Sequence, residues 1–131
     1  MTSRHAACSC GQLSATVGGE PIRVSVCHCL ACQRRTGSIL SVQARYPRSA
    51  VVISGRSQAY VRRGESGAAI TFHFCPLCGA TVHYVLAAAP DIVGLPVGAF
   101  ADPAFPAPQI SFYEAHHHSW LSVLVGNHIN R

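Results

Sequence analysis

The stretch 69–86, AITFHFCPLCGATVHYVL, decides the fold. From Ala69 to Cys75 the apolar Ile70, Phe72 and Phe74 alternate with Thr71 and His73, the period-two pattern of a half-buried strand. The alternation breaks at Pro76-Leu77 and resumes from Ala80 to Leu86, which predicts two strands folded back as a hairpin. Its turn carries two thiols, Cys75 and Cys78, followed by Gly79. A C-x-x-C turn lets both sulfurs approach one metal ion at about 2.3 Å, and the glycine supplies the permissive backbone that so tight a turn often needs. A redox-active C-x-x-C belongs in a βαβ setting, which this sequence lacks.

On either side of this hairpin, short runs rich in Val, Ile, Thr, Phe and Tyr lie between frequent glycines and prolines. They predict strands over Leu13–Val17, Ile22–Cys27, Ile39–Tyr46, Ala50–Ser54, Gln58–Arg62, Ile92–Val97 and Gln109–Glu114. Leu30–Arg35 has room for one helical turn, and Ala87–Pro108 is Ala/Pro-rich and reads mainly as a long connection. Many short strands at turn-rich spacing imply an all-β domain, expected to span residues 1–131 as a single unit. Hydrophobic residues make up 49% of the chain and charged ones 11%, which excludes disorder and leaves a buriable core.

Ten arginines, no lysines and five acids give a formal +5. Seven thiolates around two Zn²⁺ ions would reduce that to about +2. The arginines are also scattered, with pairs only at Arg34/Arg35 and Arg62/Arg63, so a nucleic-acid partner is not expected. The N-terminus has no apolar run of signal-peptide length, and the most apolar region, Val85–Ala101, is interrupted by Pro90, Asp91 and Pro96. No membrane span or membrane partner is expected. Seven is an odd number of thiols, which cannot all pair within one chain. Metal ligation in a reducing cytosol explains them better than a disulfide framework, so the expected location is cytoplasmic.

The thiols fall into three groups: Cys8 and Cys10, then Cys27, Cys29 and Cys32, then Cys75 and Cys78. Residues two apart in an extended segment point to one face, so Cys8 and Cys10 can join Cys75 and Cys78 in a closed four-cysteine zinc site. Such a site is structural, because metal binding contributes on the order of 10 kcal/mol to folding. Cys27, Cys29 and Cys32 then have no fourth cysteine. His28 lies between two of them and, in an extended backbone, points to the opposite face, which suits a core histidine hydrogen-bonded locally. His73 and His83, on the predicted hairpin, stay open as a fourth ligand.

A zinc with three protein ligands and one open position is the pattern of a catalytic site. Three thiolates leave the centre at net −1, a weak Lewis acid poorly suited to hydrolysis. A soft site suits a fourth sulfur, an incoming thiol held ready as a nucleophile. Arg34 and Arg35 follow Cys32 closely and are expected to offset the added charge or to hold a substrate carboxylate.

The order Ala7-Cys8-Ser9-Cys10-Gly11, then Cys27-His28-Cys29-Leu30-Ala31-Cys32 with Arg34 and Thr36-Gly37-Ser38, then Phe74-Cys75-Pro76-Leu77-Cys78-Gly79, resembles the glutathione-dependent formaldehyde-activating enzyme family, which also includes centromere protein V-like members. Gly98-Ala99-Phe100, Pro108-Gln109-Ile110 and Trp120-Leu121 extend the resemblance over nearly the whole chain. The resemblance implies a fold of small, bent antiparallel sheets, the β-tent. It implies two zinc ions: a structural one on Cys8, Cys10, Cys75 and Cys78, and a catalytic one on Cys27, Cys29 and Cys32. It also implies a carbon–sulfur lyase activity that joins glutathione and formaldehyde into S-(hydroxymethyl)glutathione. Gln33 stands where many relatives have arginine. The alternative reading is a noncatalytic, zinc-stabilised β-tent module that binds a protein or nucleic-acid partner.

The remaining features have plainer readings. His116-His117-His118 reads as a polar surface stretch, Trp120 as a core anchor, and Tyr46, Tyr60 and Tyr84 as strand packing. No glycine-rich phosphate loop and no paired-carboxylate site stands out.

Overall fold

Short strands carry the chain back and forth between two sheets. The computed structural model describes residues 2–64, 67–123 and 125–130. The strands are β1 (Ser3–Ala7), β2 (Ser14–Gly18), β3 (Arg23–Cys27), β4 (Ser41–Pro47), β5 (Val51–Ser54), β6 (Gln58–Arg63), β7 (Ala69–Phe74), β8 (Thr81–Leu86), β9 (Ile92–Pro96), β10 (Ile110–Phe112) and β11 (Asn127–His128). Helix α1 (Leu30–Thr36) is the single described α-helix. A three-stranded sheet has the order β1-β2-β5, and an eight-stranded sheet the order β11-β10-β3-β4-β9-β8-β7-β6. The domain is all-β, as expected. Pairing is antiparallel except where β10 lies parallel to both β3 and β11.

The predicted hairpin is β7–β8. Its register pairs Ile70 with Leu86 and Phe72 with Tyr84, with an irregularity between His73 and Phe74. On β2 the alternation buries Ala15 and Val17 and exposes Thr16. These two residues, with Ala6 and Leu13, meet Val24, Ala44, Tyr46, Val82, Val93 and Leu95 of the larger sheet in one apolar core. Val24 faces that core from β3, and Ala44 and Tyr46 face it from β4. Strand alternation therefore turns Arg23, Ser25 and Cys27 of β3, and Gln43 and Arg45 of β4, to the other face. That second face carries the candidate site.

Helix α1 is one residue longer than the predicted turn. Cys29 caps its start, its sulfur accepting from the Cys32 amide at 3.3 Å. Gly37 ends it at φ 72°, a left-handed conformation that glycine adopts without a side-chain clash.

Three expectations change. The Ala87–Pro108 stretch holds more than the strand expected within it: after β9, which pairs with β4, a 3₁₀ turn over Val97–Phe100 puts Phe100 into the core. Trp120 is 71% exposed and meets the edge of the His118 ring, so it anchors no core. That place belongs to Tyr46, fully buried against Phe100. Tyr60 is also exposed, on β6 at the edge of the large sheet. β1 and β11 were not predicted; both are short and have little apolar alternation. No described helix is long and apolar enough to cross a membrane.

Candidate functional site

Two thiol clusters form, and they differ in how they are built. The sulfurs of Cys8, Cys10, Cys75 and Cys78 all lie within 4.8 Å of one another. Cys8 to Cys10 and Cys10 to Cys75 are each 3.7 Å. Four sulfurs at the usual Zn–S distance around a tetrahedral ion stand about 3.8 Å apart, so this donor set fits zinc. The turn after β1 supplies the first two thiols and the β7–β8 turn the other two. Each turn is tied by backbone bonds, Cys8 N–H to the Leu13 carbonyl at 2.9 Å and Cys75 N–H to that of Ala80 at 3.0 Å.

Gln12, which nothing in the sequence singled out, holds this cluster from outside. Its amide nitrogen lies 3.0 Å from Cys75 Sγ, and the same amide bonds the Arg56 backbone on both its N–H and its carbonyl. Burial alone would raise the Cys75 thiol. Hydrogen bonds from Gln12 and from the Cys78 and Leu77 amides outweigh that and bring it down to about 6.

The second cluster is local. Cys27 ends β3, Cys29 caps α1, and Cys32 lies in its first turn; all three are buried, with sulfurs mutually within 4.8 Å. Cys32 to Cys27 is 3.5 Å. Sulfurs this close titrate together. Hydrogen bonding from Cys27 and Cys29 drives Cys32 far below the ordinary thiol range, helped by Ser41 and Arg62, while bonding to Cys29 and Cys32 pushes Cys27 far above it. These opposite shifts favour the neutral form at Cys27 and the charged form at Cys32. A soft divalent cation would supply the charge that lets its two neighbours ionise.

Among the described residues no fourth Cys, His, Asp or Glu joins these three. His28 is fully buried and turned away: its Nε2 lies 3.0 Å from Ser111 Oγ and 2.9 Å from Glu114 Oε2. His73 and His83 stack on each other across the hairpin, with ring centroids 4.4 Å apart.

The three thiols open into a cavity of about 590 Å³ on the outer face of the large sheet. Its floor is Arg23, Ser25, Gln43 and Arg45; its walls include Arg35 of α1, Arg62 of β6, and Phe72 and Tyr84 of the hairpin. Arg35 and Arg62 both lie over the Phe72 ring, at 4.4 Å and 5.0 Å from its centroid. Arg62 Nη2 is 3.7 Å from Cys32 Sγ. Of the two arginines expected at the site, Arg35 lines the cavity, whereas Arg34 is exposed and outside its lining.

Sequence reading missed Arg23, Arg45 and Arg62. Their residue type was visible, but their convergence depends on how β3, β4 and β6 are arranged. It also missed Tyr113, which packs on the three thiols in a left-handed conformation at φ 56°, uncommon for a bulky residue. No described acidic residue lines the cavity.

The family described as glutathione-dependent formaldehyde-activating enzyme matches residues 3–116. A crystal structure of a Rhodobacter sphaeroides protein is similar with a TM-score of 0.57 and 21% sequence identity, covering 76% of this chain and 91% of that one. At that identity the likeness is one of fold. No curated protein matches the chain.

Proposed function

Because the chain belongs to the glutathione-dependent formaldehyde-activating enzyme family, we propose that it is a carbon–sulfur lyase joining a thiol, glutathione first among candidates, to formaldehyde or a related small aldehyde. The observation that carries this reading is the three-thiol cluster, which has no fourth described protein donor and opens into a cavity rich in arginine. In the reaction the substrate sulfur bonds to the aldehyde carbon, the carbonyl π bond breaks, and the thiol proton ends on the oxygen. Held by Cys27, Cys29 and Cys32, a zinc ion would supply a soft Lewis acid that favours the thiolate form of a fourth sulfur.

The chain's own residues do the rest. Arg62, beside Cys32, and Arg35, across Phe72, offset the negative charge that collects on clustered sulfurs. Ile70, Phe72 and Leu86 form an apolar wall that limits water at the reacting atoms. The other cluster, Cys8, Cys10, Cys75 and Cys78, acts as the structural zinc site. All seven cysteines are free, which fits a reducing, cytoplasmic setting.

The test is thiol-dependent consumption of formaldehyde. The rate above the spontaneous background should rise in proportion to enzyme and vanish in Cys29→Ser. A rate that ignores enzyme concentration overturns the lyase reading in favour of a binding module.

A further inference from the structure

We infer that Arg23 and Arg45 form a distal anion clamp that makes the cavity selective for thiols bearing two separated carboxylates over thiols bearing one or none. This rests on the reading of the cavity as a thiol site.

The β3–β4 register lays the cavity floor out in rungs: Cys27 pairs with Ser41, Ser25 with Gln43, and Arg23 with Arg45. Four residues along a strand separate the Cys27 and Arg23 backbones by about 13 Å. The floor therefore runs from a thiol, through a hydroxyl and an amide, to two guanidinium groups. Ser25 and Gln43 offer the donors and acceptors that a peptide-like linker needs.

The arginines point to a ligand by what they lack. Arg23, Arg35, Arg45 and Arg62 each carry a buried Nε with no hydrogen-bond partner, and all four line this cavity. None of them is in a described ion pair, whereas the more remote Arg4 is paired with Glu20. Like charges directly opposite each other on neighbouring strands are destabilising, yet Arg23 and Arg45 share a rung. The Arg23 guanidinium is packed 5.1 Å from the Phe112 ring centroid. Partly buried cations with no carboxylate partner lack full charge compensation until something anionic joins them. Arg35 and Arg62, beside Cys32, can take a carboxylate near the sulfur. The Arg23–Arg45 rung can take a second one only from a ligand long enough to pass Ser25 and Gln43.

Calorimetric binding to the zinc-loaded protein, without aldehyde, tests this. Glutathione has two carboxylates and N-acetylcysteine one. Arg45→Gln and Arg23→Gln should each weaken glutathione by roughly 10- to 100-fold and leave N-acetylcysteine unchanged. The exposed Arg56→Gln should alter neither. Added salt should weaken glutathione more steeply than N-acetylcysteine in the unsubstituted protein, a check that needs no variant to fold. Equal losses for both ligands, or no loss for glutathione, overturn the clamp.

S-methylglutathione, which has no thiol proton, separates this inference from the lyase reading. If its binding depends on Arg45 while glutathione itself gives no enzyme-dependent formaldehyde turnover, the clamp stands and thiol activation fails. If 2-mercaptoethanol binds and turns over as well as glutathione, thiol activation stands and the clamp fails.

Discussion

Nε2 of His28 lies 2.9 Å from Oε2 of Glu114, so the histidine set between two clustered thiols is anchored to the end of the chain rather than to their cavity. Ser111 Oγ donates to the same carboxylate oxygen at 2.7 Å, and His128 Nδ1 meets the other oxygen. Glu114 thus fastens the loop carrying Cys27 and Cys29 to β10 and β11. Glu114→Gln should destabilise the fold by about 1–3 kcal/mol, because buried polar groups lose a charged partner. His128→Ala should cost less than about 1 kcal/mol, since that side chain is 47% exposed. Urea unfolding of both variants measures the difference; equal losses would show that the buried His28 arm contributes nothing.

The two thiol clusters should respond differently to a single lost sulfur. Cys8 and Cys10 meet Cys75 and Cys78 across a wide sequence separation and tie the small sheet to the hairpin of the large one. Cys78→Ser should therefore unfold the protein or abolish its cooperative transition. Cys29→Ser, within a cluster built from six consecutive positions, should remove one zinc of two and leave a cooperative transition. Metal analysis alongside circular dichroism decides this, and equal damage from both would make the second cluster structural as well.

Gly94 pairs with Tyr84, and a Cβ at Gly94 would stand 2.1 Å from Tyr84 Cζ. The ring, whose centroid lies 5.6 Å from that of Phe72, would have to swing off Gly94 and out of this packing. Gly94→Ala should destabilise by about 1–3 kcal/mol and also weaken thiol binding, since Tyr84 lines the cavity. Unchanged denaturation midpoint and affinity would show that the ring moves freely.

His83 is 8% exposed. Burial, then the neighbouring His73 and Arg48, lower its proton affinity from 6.5 to about 4. The unfolded chain takes up this proton first, so its effect on stability is absent above pH 6.5 and grows as pH falls towards about 4, always against the fold. His83→Gln should remove this component. The stability difference between the zinc-loaded variant and the parent should therefore shift in favour of the variant across that range. A difference independent of pH would show that His83 does not titrate there.

Much of the architecture was legible because its signals are local. Apolar alternation over 69–86 anticipated β7 and β8, and turn residues marked most of the other strands within a residue or two. Cysteine spacing anticipated both clusters, since sulfurs two or three residues apart around a tight turn must share a neighbourhood. The same period-two logic turned His28 away from the thiols. Trp120 shows where such logic stops: a large aromatic beside apolar residues reads as core, yet nothing local says that the core is already filled by Tyr46 and Phe100.

The sequence by itself determined that this chain is an all-β protein with seven thiols grouped as four and three. Only the tertiary structure decided which charges face the three. Arg34 and Arg35 are neighbours in sequence, but a helix points them in different directions, and only Arg35 reaches the cavity. Arg23, Arg45 and Arg62 are far apart in sequence and converge there because strand register and sheet order, set by the packing of the opposite faces, leave them on one surface.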